Sequence, residues 1–335
     1  MWWGARPQRC LKIGADELVW VHARSRWGRR IPSRCSVRPL TPGQIRLSPM
    51  DPNLVDEAAV ETALREMMAP PRPAKVLGGD RFSRVPRPVT LLLPDLCVRT
   101  AVFRLDRLPT KSSERDALIR WRFGQEHLFP LSGAKVCHQL LPSLDPKSQG
   151  QGATVLAVAV QDVVRHQYEA LCQAVGLVPI EITTTSLQLC NVWLASEQQA
   201  KPARDVPDFL WLSLLDRTFT LMAFHRGQPT FTRSKVLGPT QAGGPNRLAG
   251  ADQLEWIVGQ CEASLRLYDE QGVPGRPSRL VVVADELPES FQGHLDERLS
   301  VEVVPFDWTL CAPRRWRIKR KALSTGAMAA IASVS

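Results

Sequence analysis

Paired cysteines are missing from this sequence of 335 residues. Its eight cysteines stand singly, and no two of them form a C-x-x-C pair. This spacing argues against a zinc site and against a disulfide framework. Free cysteine in an apolar pattern behaves as a small buried hydrophobe. We therefore expect reduced thiols in a reducing, cytoplasmic environment.

Long apolar runs are missing too. No stretch approaches the roughly 20 residues that are needed to cross a bilayer. The Trp-rich, basic opening over residues 1–10 is not followed by the apolar core of a signal peptide. The sequence thus predicts a soluble protein.

Short catalytic motifs do not occur either. The sequence contains no G-x-S-x-G, H-E-x-x-H, G-x-x-x-x-G-K-[ST] or G-x-G-x-x-G. Gly243-Gly244 is followed by Pro245, which removes a backbone donor that a phosphate loop would use. The six histidines have no sequence neighbour at metal-ligand spacing, and the adjacent Asp285 and Glu286 would point to opposite faces of a strand. We therefore assign no catalytic residue and no metal ligand.

Positive charge is what the sequence has in excess. Lysine and arginine number 43 against 33 acidic residues, a net charge of +10, which favours anionic partners such as phospholipid headgroups or nucleic acid. The excess is concentrated in residues 24–38 and in the tail. The tail residues expected to face an anionic inner-membrane surface, ahead of a final helix, are Arg314, Arg315, Arg317, Lys319, Arg320 and Lys321. Nucleic-acid binding is the alternative, but no recognised reading motif accompanies these residues.

Apolar periodicity predicts an α/β protein with mixed sheets in two lobes. Helices are predicted over 51–68, 113–127, 162–175 (with Gly176 as the cap), 186–196, 250–269 and 322–334. Strands are predicted within 10–23 and over 89–94, 98–105, 136–141, 154–160, 179–183, 209–215, 218–224, 230–236, 279–284 and 301–305. Residues 24–38 are predicted to form a loop or an edge strand, and the polar segment 197–208 a hinge between the lobes.

A series of short phrases between residues 89 and 194 resembles PilM-like type IV pilus assembly proteins of the actin-like ATPase superfamily. The phrases are LLLPDLCVR (91–99), LDRLP (105–109), IRWRFGQEHLFPL (119–131), VLAVAV (155–160), YEALCQAVGLVPIEI (168–182) and SLQLCNVWL (186–194). The second half resembles the family more loosely, chiefly through PTFTRSKVLG (229–238).

The resemblance implies an actin-like fold, with two ribonuclease-H-like lobes and a subdomain inserted into the first. The implied domain ranges are 1–98 for the start of the first lobe, 99–165 for the inserted subdomain, 166–200 for the rest of the first lobe, 201–312 for the second lobe, and 313–335 for a basic segment and a helix that returns to the first lobe.

Actin-like ATPases hold metal-bound phosphate with two hairpins that carry Asp, Gly and small hydroxyl residues. The carboxylate of Asp positions the metal ion, and Gly lets the backbone approach the phosphate closely. In the first hairpin here only Gly14 and Asp16 remain, and their order is reversed. In the second hairpin, Thr220 is aligned with a hydroxyl residue of the family. Leu214 then stands at the position of the family's Asp, and Asp216 at the position of its Gly. An acid at that glycine position would repel phosphate.

A third element of the family's nucleotide site is a Gly-rich turn, which is replaced here by the segment 281–290 with Asp285. Three such losses predict a pseudo-ATPase that binds no cofactor. The alternative is a residual site for ATP with Mg²⁺.

The resemblance also implies a partner. PilM-like proteins hold the short cytoplasmic N-terminus of a membrane-anchored pilus assembly protein, and we expect a groove for such a peptide between the inserted subdomain and the first lobe. The candidate residues come from the aromatic helix, its Pro end and the strand before it: Arg99, Trp121, Phe123, Phe129 and Pro130. Burial of these aromatics in a core is the alternative.

The predicted function is accordingly a cytoplasmic scaffold, peripheral to the inner membrane, in a type IV pilus or type II secretion-like assembly platform. The alternatives are an active ATP-binding actin-like protein of the same machinery and a basic nucleic-acid-binding protein. Self-association is left open.

Overall fold

The computed structural model describes residues 7–26, 29–69, 86–127, 129–141, 153–200, 206–238, 251–270, 277–285, 287–311 and 324–334. Within these ranges no helix is both long and apolar enough to cross a membrane. The same residues contain no cluster of three or more His, Cys, Asp or Glu that could hold a metal ion.

Strands and helices alternate along the chain, as an α/β protein requires. The strands are β1 (Arg9–Ile13), β2 (Glu17–Arg26), β3 (Arg29–Pro39), β4 (Arg87–Leu93), β5 (Arg99–Leu105), β6 (Ala134–Leu141), β7 (Ala153–Gln161), β8 (Leu177–Thr184), β9 (Phe209–Leu215), β10 (Thr218–His225), β11 (Gln228–Val236), β12 (Arg279–Val283) and β13 (Glu302–Pro305). The α-helices are α1 (Glu57–Met68), α2 (Ser112–His127), α3 (Asp162–Ala174), α4 (Thr185–Ala200), α5 (Ala251–Glu270), α6 (Glu289–Leu299) and α7 (Thr325–Val334). Short 3₁₀ helices cover Asp95–Cys97 and Trp308–Cys311.

The first of two compact units comprises residues 1–94, 163–192 and 307–335. Its mixed sheet has the order β3-β2-β1-β4-β8, in which β1, β2 and β3 are antiparallel neighbours and β4 runs parallel to both β1 and β8. The interior strand β4 has Val89, Leu91 and Leu92 fully buried, which explains its continuous apolar sequence. Helix α7 packs on β1, β2 and β3.

The arginine-rich segment near the start belongs to this sheet. Residues 24–38 form the end of β2 and most of the edge strand β3, so the loop alternative is wrong where the structure describes them. Arg34 donates hydrogen bonds to the carbonyl oxygens of Met67 (2.7 Å) and Ala69 (2.8 Å). A cation at the C-terminus of α1 complements the helix dipole. At least this arginine is therefore used inside the fold.

The second compact unit comprises residues 95–162 and 193–306. Its five-stranded sheet has the order β11-β10-β9-β12-β13, with β9, β10 and β11 antiparallel and β9, β12 and β13 parallel. One face packs a core that includes Leu212, Leu221 and Val282 with Ile257 of α5 and Phe291 of α6. Residues 95–162, which carry the predicted insertion, thus group with the second-lobe residues.

The same unit contains the antiparallel three-stranded sheet β5-β7-β6. Helix α2 covers one face of it through Ile119 and Phe123, which pack with Ala101 and Phe103 of β5. Along β5 and β7, more buried residues alternate with less buried ones. This period of two is expected for a strand that has one face covered.

Most predicted elements are present with shifted ends, and two details differ. Helix α6 was not predicted, because its buried residues Phe291, Leu295 and Leu299 recur only every four positions in a polar sequence. The hinge was predicted to begin at 197, but α4 continues to Ala200.

Candidate functional site

The hairpin of β1 and β2 is the first of the two nucleotide-type elements. The backbone N–H of Gly14 donates to the carbonyl oxygen of Glu17 at 2.9 Å, which closes the turn. Asp16 is buried, and its carbonyl oxygen accepts from the N–H of Leu40 at 2.8 Å. The two residues kept from the family pattern therefore shape and anchor this turn.

A buried ion pair lies beside that turn. The Lys12 side chain is 2% exposed, and its Nζ is 3.6 Å from Oε1 of Glu17. The hydroxyl of Ser324 donates to the same Glu17 oxygen at 3.0 Å and also accepts from the N–H of Ala327 in the first turn of α7. The charges of the first hairpin are thus used to attach the C-terminal helix.

The hairpin of β9 and β10 is the second nucleotide-type element, and its turn explains Asp216. Asp216 and Arg217 have φ of 52° and 56°. A two-residue turn with both central residues in the left-handed region suits a β-hairpin. Asp tolerates this region better than most non-glycine residues. Asp216 can therefore replace a glycine on conformational grounds while bringing a carboxylate to the turn.

The strand register separates Leu214 from Thr220. Leu214 pairs with Phe219, and both lie in the hydrophobic core of the second unit. Thr220 pairs with Ser213, so these two hydroxyl residues share the opposite face of the sheet. The residue that shares a face with Thr220 is therefore Ser213, one position before the aligned Leu214.

The two hydroxyls on that face have different surroundings. The Thr220 hydroxyl donates to Oδ2 of Asp95 at 2.8 Å and lies 3.0 Å from the Ser234 hydroxyl. The Ser213 side chain is 1% exposed, and its Oγ has no hydrogen-bond partner among the described residues. Sequence reasoning missed Ser213, although its position opposite Thr220 follows once the hairpin turn is placed at 216–217.

Aromatic side chains fill the same face of β9 and β10 further from the turn. Phe209 stacks on Phe224 with ring centroids 4.5 Å apart, and Trp211 meets Phe306 at 5.6 Å. Trp193 packs against Phe209 at 4.3 Å. This part of the face is a packed aromatic cluster.

The third nucleotide-type element follows β12. Ala284 is buried, Asp285 is half-buried, and α6 begins after Pro288, whose carbonyl oxygen accepts from the N–H groups of Phe291 and Gln292. Glu286 lies outside the described residues. No side chain caps the start of α6.

The partner-binding candidates divide between core and surface. Trp121 is 59% exposed, whereas Phe123 and Phe129 are buried and meet edge-to-face with centroids 6.3 Å apart. Two positions along a helix turn by about 200°, so Trp121 and Phe123 cannot share a face. The core alternative therefore holds for Phe123 and Phe129 and fails for Trp121.

The remaining candidates lie at one end of the three-stranded sheet. Arg99 pairs with Ala159 in β7, and two residues later Gln161 donates to the carbonyl oxygen of Pro130 at 2.6 Å. Pro130 is exposed. Burial lowers the pKa of the half-buried Arg99 guanidinium from its ordinary value. Arg99 and Pro130 thus lie at the same end of this sheet.

Trp121 belongs to the other end of that sheet. It lines a cavity with Leu105, which is at the far end of β5, and with Thr154 of β7. The structure therefore does not gather the five candidates into one site.

A comparison with solved structures identifies the architecture. A structure of the PilM-PilN type IV pilus biogenesis complex matches 98% of this chain and 99% of its own chain, with a TM-score of 0.73 and 18% identity. The chain has the fold of PilM. A Bacteroides thetaiotaomicron protein, described as having an actin-like ATPase fold and unknown function, matches 91% of the chain with a TM-score of 0.50 and 12% identity. No protein-family model matches the sequence, and no curated protein matches it significantly.

The PilM fold confirms the predicted fold class and the resemblance from which it came. The chain has an actin-like α/β fold with mixed sheets. At this level of identity the likeness establishes architecture alone. The six basic tail residues, Arg314, Arg315, Arg317, Lys319, Arg320 and Lys321, lie outside the described residues.

Proposed function

We propose that this protein is a scaffold of a type IV pilus or related inner-membrane assembly platform, and that it binds the cytoplasmic N-terminal segment of a membrane-anchored PilN-like protein. The observation that carries the proposal is the full-length match to PilM in a PilM-PilN complex. In this proposal the protein works at the cytoplasmic side of the inner membrane.

The proposed site for the segment is the end of the three-stranded sheet around Arg99 and Pro130. Strand β6 begins at Ala134, just after Pro130, and among the described strand pairs it is joined only to β7. An edge strand offers free backbone groups to an extended peptide. Arg99 supplies a desolvated guanidinium nearby, which is the kind of anchor found at interface centres.

We further propose that the scaffold is a pseudo-ATPase without a bound cofactor. Three features support this. In the ion pair of Lys12 and Glu17, the Glu17 carboxylate accepts a hydrogen bond from Ser324, just before α7. The Leu214 side chain is buried in the core. The Asp216 carboxylate stands where the family has glycine. Titration of fluorescent ATP with Mg²⁺ should show no saturable binding. A magnesium-dependent affinity in the micromolar range would overturn the pseudo-ATPase proposal and favour the active ATPase.

Membrane association through the basic tail is part of the proposal. Each basic residue near an anionic leaflet contributes about 1 kcal/mol. We expect the protein to float with anionic liposomes at low salt and to be released at high salt. Absence of flotation at both salt concentrations would refute the proposed membrane association. It would not affect the proposed binding of the partner segment.

The binding proposal is tested with a purified, labelled cytoplasmic N-terminal segment of a PilN-like protein. Arg99→Glu should weaken binding by about tenfold or more, since it reverses a desolvated interface charge. Arg46→Glu, at an exposed arginine of the first unit, is the matched control and should bind like the wild type. No binding of the segment to the wild-type protein would refute the proposed function.

A further inference from the structure

A cavity of about 760 Å³ lies inside the second unit, apart from the Arg99 end. Its walls come from the end of β5, one face of α2 and the first half of β11. The residues that matter for its chemistry are Arg104, Asp106, Arg107, Trp121 and Arg122. The nucleotide-type hairpins do not contribute to it.

Two strand edges face this cavity. β5 is joined only to β7, and β11 only to β10, in the described sheets. The two strands contact each other, yet no backbone ladder joins them in the described strand pairs. Their Val102–Arg107 and Thr230–Thr232 segments both line the cavity. The cavity therefore lies between two strands that also contact each other.

The charge around the cavity is unbalanced. Three arginines, Arg104, Arg107 and Arg122, line it against the single acid Asp106. Arg104 and Arg107 are exposed, and Arg122 is half-buried. Guanidinium groups bind carboxylates in a bidentate geometry. The cavity is therefore complementary to a negatively charged ligand.

An exposed aromatic completes the site. Leu118, Trp121 and Arg122 are spaced three and four residues apart, so they share one face of α2. Trp121 is 59% exposed at the cavity. A large aromatic kept in water is unusual in a monomer and suits a binding surface.

We propose that this cavity binds an extended, acidic segment of a protein partner. Its carboxylates pair with Arg104 and Arg107, and an apolar side chain packs on Trp121. This second docking site is separate from the PilN-like segment at Arg99, and it does not rest on the proposed function.

The probe is a fluorescein-labelled synthetic peptide as long as β5, which has 7 residues, with glutamate alternating with valine. Fluorescence anisotropy should show saturable binding to the full chain at low salt. A peptide with lysine in place of every glutamate should bind about tenfold weaker or worse, because like charges then meet. Equal binding of the two peptides, or no binding of either, would overturn the proposal.

Protein variants locate the site. The double variant Arg104→Glu with Arg107→Glu should weaken the acidic peptide by about tenfold or more, and Trp121→Ala should weaken it without lowering Tm. The matched control, Arg24→Glu with Arg46→Glu, makes the same charge change at exposed arginines of the first unit and should leave binding unchanged. Equal losses in both double variants would show a nonspecific charge effect and contradict the assigned site.

A further measurement tests whether the two sites are independent. Arg99→Glu should leave the acidic peptide bound while weakening the PilN-like segment. If Trp121→Ala instead abolished binding of the PilN-like segment, the two sites would be one and the inference would be wrong.

Discussion

The hydroxyl of Thr220 donates a 2.8 Å hydrogen bond to the carboxylate of Asp95. Asp95 lies in the LLLPDLCVR phrase (91–99), which contributes to the family resemblance, and Thr220 is the residue by which the second hairpin was aligned with the family. Both groups are buried. The hydroxyl of the second hairpin is thus part of an internal hydrogen bond within the second unit.

Thr220→Val should lower the free energy of unfolding by about 1–2 kcal/mol, because it removes a donor from a buried carboxylate. Ser213→Ala is the matched control on the facing strand. It removes a buried hydroxyl that has no hydrogen-bond partner in the described residues, so we expect a change below about 0.5 kcal/mol or a gain. Urea unfolding measures both variants, and equal losses would contradict the different surroundings of the two hydroxyls.

Gly326→Ala should destabilise the protein although alanine is the better helix former. A Cβ at this position would clash with Oε1 of Glu17 and lie 2.8 Å from Nζ of Lys12, so the ion pair of these two side chains would have to move. Gly259→Ala in α5 is the control, since its Cβ meets nothing within 4 Å. That variant should gain about 0.5–1 kcal/mol. Differential scanning calorimetry should show opposite shifts of Tm, and a rise for Gly326→Ala would contradict the contact.

Thiol reactivity should be confined to one cysteine in the native protein. Cys137 is exposed, whereas burial raises the pKa of Cys35 and of Cys172 to about 12 and that of Cys190 well above its ordinary value. The thiolate is the reactive form. At pH 8 a disulfide reagent should label Cys137 first, and all eight cysteines after unfolding. Cys137→Ser should abolish the rapid phase; rapid labelling that persists would contradict the burial.

Much of the fold could be predicted from the sequence because its elements are strongly periodic. The apolar run over 89–94 predicted β4, which lies between β1 and β8, and Gly176, with φ of 73°, follows the end of α3 as predicted. Helix α6 could not be found this way, since its Phe291 and Leu295 are too sparse to stand out from the polar residues between them.

The candidate site was less predictable, because it depends on the register of paired strands and on which face of a strand or helix each side chain occupies. A shift of one residue in a strand moves a side chain to the other face, and this is what separates Leu214 from Ser213. The helix period alone could have separated Trp121 from Phe123. The cavity at β5 and β11 could not be predicted, since it brings together Arg104 and Thr230 from segments far apart in the chain.

The central claim is that the chain binds a PilN-like partner without needing nucleotide. Isothermal titration calorimetry of the full chain with the N-terminal segment of that partner tests it directly. The account predicts saturable one-to-one binding in nucleotide-free buffer, unchanged by ATP with Mg²⁺ and strongly weakened by Arg99→Glu. Binding that occurs only after ATP and Mg²⁺ are added would contradict it.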